Sequence, residues 1–155
     1  MFINPRSNCR CREHRQVSLA VKAAIVALGC TQVPESREAA ANTMTCVRFP
    51  AEVKGPAFLK HVVECGVSLS GGLHKQIKTE YFRIGHMGPS TRRLDHVVKT
   101  IKAIESALAA CGHQFKRGAG LEKIYELKKN LPSIKSCPSL CTFQVIYVCI
   151  LVVLV

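Results

Sequence analysis

The sequence of 155 residues contains no tryptophan, and only 6% of its residues are aromatic. Proteins that hold single-stranded nucleic acids stack the bases on aromatic side chains set among lysine and arginine. The chain also has no C2H2 zinc-finger spacing and no RNP-type motif. We therefore predict no nucleic-acid partner, and we interpret the net charge of +12 as that of a domain with basic faces.

Acidic residues are scarce, with 10 Asp and Glu against 22 Lys and Arg. They are scattered, so no carboxylate pair suits glycosidase chemistry. The serines lack a nucleophile elbow, which argues against a serine hydrolase. No phosphate-loop or dinucleotide-binding fingerprint is present. His74 and His86 could serve as acid–base groups, but histidines in loops are usually solvated. We assign no catalytic residue from these patterns.

The chain has nine cysteines, an odd number, and no pair with C-x-x-C spacing. Cys9 and Cys11 are too close along the chain for a zinc knuckle, and Cys137 and Cys141 have no second pair to complete a site. We predict mostly free, reduced cysteines of an intracellular protein and no metal site. The first fifteen residues have no apolar core, so no secretory signal is predicted.

The periodicity of apolar residues predicts one domain in which helices alternate with short strands. Helices are expected at residues 10–28, 56–66 and 92–110, and strands at 42–49, 67–70 and 80–85. Ser90 or Thr91 is expected to cap the last helix, and Gly112 to end it. One-sided helices and short strands predict an α/β fold, a two-layer α+β sandwich with helices on one face of a small sheet.

Arg83 lies in the middle of the last predicted strand, between Phe82 and Ile84, with glycines before and after it. Two interpretations of this position stay open. In one, the side chain points to water from an edge strand; in the other, it faces a cavity and binds an anion. The planar guanidinium matches a carboxylate in bidentate geometry, and glycines let a ligand approach the backbone closely.

The chain ends in an unbroken apolar run, residues 145–155, after a basic stretch. A helix that spans a membrane needs about 20 apolar residues, so this run is short. Three interpretations stay open: a tail anchor with a basic flank, a buried or adhesive strand, and sequence without an evolved role.

Three segments of the chain resemble a known family: AANTMTCVRFP (40–50), KGPAFLKHVVECGVSLSGGLHKQIKTEYFRIGHMG (54–88) and LDHVVKTIKAIESAL (94–108). They are similar to the C-terminal domain of class V aminotransferases, and most similar to the alanine–glyoxylate (serine–pyruvate) type. The resemblance covers residues 10–113, and GGLHKQIKTEYFRIGHMG is its most specific part. It predicts an aminotransferase small domain at 10–113, a basic linker at 114–136 and a hydrophobic tail at 137–155.

The resemblance implies a dimeric transferase that uses pyridoxal phosphate. Such enzymes move an amino group from alanine or serine to glyoxylate or pyruvate, an activity connected with glycine biosynthesis. The implied fold is the small C-terminal domain of a fold-type I pyridoxal-phosphate enzyme. In the family the arginine of the R-I-G motif binds the substrate carboxylate, and the matching position here is Arg83. The resemblance thus favours the interpretation in which Arg83 faces the active site.

No lysine stands in a context that matches the lysine to which the family binds its cofactor. We therefore assign no cofactor-binding residue and expect a fragment that is inactive alone and does not bind pyridoxal phosphate specifically. The alternative is a non-catalytic interaction protein that pairs with a full-length aminotransferase or sits on a membrane through residues 137–155. The family occupies the cytosol, peroxisomes and mitochondria, and no S-K-L peroxisomal address is visible. We expect a cytoplasmic or peroxisomal protein, with a mitochondrial or tail-anchored location as alternatives.

Overall fold

The computed structural model describes residues 5–130, so the tail at 137–155 lies outside the described residues. Helices and strands alternate in the predicted manner. The elements are α1 (Pro5–Ala27), β1 (Met44–Arg48), α2 (Gly55–Glu64), β2 (Ser70–Gly71), β3 (Tyr81–Gly85), α3 (Leu94–Ala110) and α4 (Ala119–Asn130). Among these described helices, none is both long and apolar enough to cross a membrane.

The three strands form an antiparallel sheet in the order β1-β3-β2. Strand β3 is central, and Arg83 pairs with Cys46 on one side and with Ser70 on the other. The segment around Gln32 runs along the outer edge of β1 and forms a single bridge with Val47.

One face of the sheet carries the apolar core. Alternation along the strands puts Val47, Phe82 and Ile84 on this face, and each is 1% exposed or less. The ring of Phe58 in α2 packs on Phe82 with 4.7 Å between ring centroids, and Phe49 completes the aromatic cluster. The apolar stripe of α3 joins the same core. The predicted fold class, helices covering one face of a small sheet, is confirmed.

Helices α2 and α3 end close to glycines, as predicted for Gly112, but the start of α3 does not follow the prediction. Gly66 and Gly112 adopt φ angles of 72° and 86°, the left-handed conformation that ends a helix and favours glycine. Helix α3 begins after Arg93, which makes no capping hydrogen bond through its side chain. The hydroxyl of Thr91 instead donates to the carbonyl of Gly88 at 2.8 Å, within a short 3-10 helix. The predicted Ser90 or Thr91 cap is therefore wrong.

Helix α4 was not predicted from the sequence. It packs against α1, and Ile124 enters the core with 1% exposure. Glu105 of α3 accepts a hydrogen bond from the backbone N–H of Gly118 at 3.2 Å, directly before the helix begins. A carboxylate at this position stabilises a helix start, because it accepts from an N–H group that has no partner within the helix. The domain boundary proposed at residue 113 stays a prediction.

Candidate functional site

The face of the sheet opposite the core forms the candidate site, and we call it the open face. Its positions alternate with those of the core face along β1 and β3. They are Met44, Cys46, Arg48, Tyr81, Arg83 and Gly85. Arg83 lies at the centre of this face, partly buried and directly opposite Cys46. The structure thus places Arg83 away from the core and on the central strand, whereas the water-facing interpretation assumed an edge strand.

The guanidinium of Arg83 is held by the backbone. Its Nε donates a hydrogen bond to the carbonyl oxygen of Gly71 at 2.8 Å. Among the residues that the structure describes, no side chain or backbone group bonds the two terminal nitrogens, and no ion pair includes Arg83. The forked end of the side chain is therefore oriented by one bond and left open to an anion.

Arg48 provides a contrast on the same face. Its Nη1 lies 3.1 Å from a carboxylate oxygen of Glu80, and both side chains are about half exposed. This arginine already has an anionic partner in water, where such a pair contributes about 0–1 kcal/mol. Of the two arginines, only Arg83 combines partial burial with an open fork.

Two positive charges, those of Arg83 and Lys22, act on Cys46, the residue opposite Arg83 in the sheet. Burial raises the pKa of the Cys46 thiol, while the charges of Arg83 and Lys22 oppose that rise. Burial, assisted by the charge of Arg37, lowers the pKa of Lys22. The Nζ of Lys22 donates to the carbonyl of Ala41 at 2.5 Å and to the hydroxyl of Ser18 at 2.6 Å. An anion beside Cys46 would be attracted by both of these charges.

A turn built on the two glycines supports Arg83. The hydroxyl of Tyr81 accepts hydrogen bonds from the backbone N–H groups of Leu73, at 2.9 Å, and His74, at 3.2 Å. Gly72 packs so closely that a Cβ atom there would lie 2.5 Å from Cε1 of Tyr81. The sequence suggested that these glycines let a ligand approach the backbone. In the structure, the absence of a side chain at Gly72 leaves room for the ring of Tyr81.

His86 differs from its prediction as a solvated loop histidine. It is 2% exposed, and its Nε2 lies 2.8 Å from the hydroxyl oxygen of Thr45. Its Nδ1 is buried and makes no hydrogen bond to any described group. Burial lowers the pKa of His86 to about 4. His74 is exposed, as expected, and neither imidazole bonds to Arg83 within the described residues.

Tyr81 and Thr45 are the side chains that sequence reasoning missed. A signal for Tyr81 was present, because a residue two positions before Arg83 in a strand lies on the same face. Thr45 offered no such signal, since its partner His86 is 41 residues away along the chain. As for metals, the described side chains include no group of three or more His, Cys, Asp or Glu residues arranged to hold an ion.

No family model matches the sequence. The chain is 27% identical over 123 residues to the pyridoxamine–pyruvate transaminase of Mesorhizobium japonicum, which covers 79% of the chain and 31% of the relative. The chain thus spans about a third of the length of the curated relative that it matches.

Solved structures give the same result. The pyridoxamine–pyruvate aminotransferase of Mesorhizobium loti superposes with a TM-score of 0.71 at 27% identity, over 77% of this chain and 30% of the other. The ureidoglycine–glyoxylate aminotransferase of Bacillus subtilis also reaches 0.71, at 22% identity, over 77% and 30% of the two chains. The alanine–glyoxylate aminotransferase of Nostoc sp. reaches 0.57 at 24% identity, over 63% and 25%. The last two likenesses bear on the fold alone. The relatives of this chain in sequence and in structure are therefore class V aminotransferases, the family that the sequence predicted.

Proposed function

We propose that the chain is the substrate-carboxylate-binding part of an aminotransferase of the alanine–glyoxylate or serine–pyruvate type. The observation that carries the proposal is the guanidinium of Arg83, anchored through Nε and open at its two terminal nitrogens on the central strand. In this proposal the complete enzyme is a homodimer that uses pyridoxal phosphate and moves an amino group from alanine or serine to glyoxylate or pyruvate. The activity would contribute to glycine biosynthesis.

The chemistry of the open face supports a small carboxylate as the ligand. A carboxylate can accept two parallel hydrogen bonds from the terminal nitrogens of a guanidinium. The neighbouring charge of Lys22 would also favour an anion. The relatives are named for reactions of pyruvate or glyoxylate, which are α-keto acids with a single carboxylate. Arg83 would bind that carboxylate and so fix the orientation of the rest of the substrate.

The described residues do not fit pyridoxal phosphate by themselves. When bound, this cofactor supplies an electron sink, and it requires a lysine, an acidic partner for the ring nitrogen and a phosphate cup. Lys22, whose pKa burial lowers, uses its Nζ for Ser18 and Ala41. The buried carboxylate of Glu13 binds Arg92 at 3.1 Å. We therefore assign no cofactor-binding residue and propose that transamination requires residues outside 5–130.

A titration of the 155-residue chain with pyruvate tests the role of Arg83. Arginine side chains are labelled with 15N, and the Nε–H signals are followed by NMR at constant ionic strength. One charge-assisted bidentate contact contributes roughly 2–3 kcal/mol, which corresponds to a Kd on the order of 10 mM. We expect the Arg83 signal to shift with saturation, and Arg83→Lys to weaken binding severalfold because lysine keeps the charge but loses the fork.

Two controls make the test specific. Arg48→Lys alters an arginine on the same face whose guanidinium is occupied by Glu80, so pyruvate binding should stay unchanged. Methyl pyruvate lacks the free carboxylate and should shift no arginine signal. Equal shifts of the Arg48 and Arg83 signals, or full binding by Arg83→Lys, would show that the interaction is non-specific and would refute the proposal.

A further inference from the structure

We propose that Tyr81 is the positioning residue of the Arg83 site. Its hydroxyl holds the turn at residues 71–74, and the carbonyl of that turn fixes the guanidinium of Arg83. The hydrogen bonds that support Arg83 all lie within the described residues. The identity of the ligand, a small monocarboxylate such as pyruvate, rests on the proposed function.

The hydroxyl oxygen of Tyr81 is the acceptor around which the turn is built. The N–H groups of Leu73 and His74 both donate to it, at 2.9 and 3.2 Å. No backbone carbonyl among the described residues accepts from either N–H. Leu73 and His74 are exposed residues, but the two hydrogen bonds are partly buried by the ring of Tyr81, so breaking them would destabilise the turn. Replacing the hydroxyl by hydrogen would leave both donors without a protein acceptor.

The same turn is attached to Arg83 at its other end. Gly71 pairs with Phe82 in the sheet, and its carbonyl oxygen accepts from the Nε of Arg83 at 2.8 Å. Tyr81 and Arg83 are two residues apart on one face of β3, so one strand face binds both ends of a four-residue turn. The pairing with Phe82 fixes Gly71 from the strand side, and we infer that the Tyr81 hydroxyl fixes it from the turn side, so the position of the Gly71 carbonyl relative to Nε depends on both.

The ring of Tyr81 adds rigidity to this arrangement. Tyr81 is 6% exposed. Gly72 lies so close to its Cε1 atom that a Cβ on Gly72 would be only 2.5 Å away. The backbone of Lys78 lies near the same position, with its carbonyl oxygen 2.6 Å from the Cβ atom that Gly72 lacks. A buried ring packed this closely against Gly72 has little room to follow a displaced turn. Loss of the hydroxyl would thus loosen the turn rather than move the tyrosine.

Tyr81→Phe tests the inference, because it removes the hydroxyl oxygen and keeps the ring. In the 155-residue chain, we expect exchange of the Arg83 Nε–H with water to become about tenfold faster and the affinity for pyruvate to fall about threefold to fivefold. The matched control is Tyr125→Phe, which alters a tyrosine on α4 that is 46% exposed. It should leave the exchange rate and the affinity unchanged.

The outcomes separate the two hypotheses. If Tyr81→Phe keeps the fold, judged by the amide signals of β1 and β3, but leaves Nε–H exchange and affinity as in the wild type, the positioning role is refuted. If exchange accelerates while pyruvate binds to neither protein, the positioning role stands and the proposed function fails. Should the variant not fold, amide exchange in the wild type decides. Leu73 and His74 must then exchange more slowly than the exposed Lys75 and Gln76 next to them, and equal rates refute the inference.

Discussion

Replacing Gly72 by alanine tests the packing of the turn that supports Arg83. The added Cβ would lie 2.5 Å from Cε1 of Tyr81, 2.6 Å from the carbonyl oxygen of Lys78 and 2.9 Å from its Cα. Real Cβ atoms essentially never approach another heavy atom within 3.0 Å. Two of these three atoms belong to the backbone, so no rotation of a side chain can relieve the conflict. The turn must shift.

The expected loss of stability in Gly72→Ala has two contributions. Forcing a methyl group into filled space costs about 1–3 kcal/mol. A shift of the turn against Tyr81 also weakens the two hydrogen bonds to its hydroxyl, at about 1 kcal/mol each. We therefore expect Gly72→Ala to lower the free energy of unfolding by about 3–5 kcal/mol, a large part of the roughly 5–15 kcal/mol typical of a domain.

Urea unfolding followed by circular dichroism measures this loss, and Gly71→Ala is the matched control. A Cβ at position 71 would meet only Cδ1 of Leu59, at 3.9 Å, which is an ordinary contact. We expect the control to stay within about 0.5 kcal/mol of the wild type. If the two variants unfold at the same urea concentration with the same slope, the close packing of Gly72 against Tyr81 is wrong.

Two further predictions concern carboxylates. Nδ1 of His113 lies 2.5 Å from Oε1 of Glu52, and this hydrogen bond lowers the pKa of Glu52 below its ordinary value of 4.5. The stabilisation by Glu52 is therefore fully present above pH 4.5 and is lost as the pH falls through the lowered pKa. Wild type should exceed Glu52→Gln in stability near neutral pH, and the gap should close in acid; a gap that is constant from pH 7 to pH 3 would contradict this. Glu105→Ala should remove the acceptor of the Gly118 N–H, speed amide exchange in α4 and lower the free energy of unfolding by about 1 kcal/mol. Glu105→Gln keeps an acceptor, so it should lower the free energy of unfolding by less. Equal exchange rates in α4 for wild type and both variants would exclude the capping role.

Local patterns were sufficient for the central strand and for the helix predicted at residues 92–110. Tyr81–Gly85 alternates between faces and ends at a glycine, and α3 carries one apolar stripe that ends before Gly112. Both signals depend on residues close together in the sequence. The resemblance of the 71–88 segment to a family then suggested which strand carries the candidate site.

What the sequence did not reveal depends on distant partners. Helix α4 looks polar in isolation, because only a few of its side chains, such as Ile124, are buried, and its start depends on Glu105 of another helix. The buried His86 shares a hydrogen bond through its Nε2 with the hydroxyl of Thr45, which is far away along the chain. The role of the Tyr81 hydroxyl depends on the path of a turn that no periodicity predicts.

Because β3 is paired on both sides, an insertion or deletion within this strand would change which side chains reach the open face. Cys46 and Ser70 fix the register of the strand, and one residue inserted just before Arg83 would turn its guanidinium toward the core face, against Phe58. A buried charge without a partner is too costly for that arrangement to persist. Insertions should instead be tolerated at the exposed Lys75 and Gln76, where the connection to β3 can lengthen without altering either neighbour of the strand.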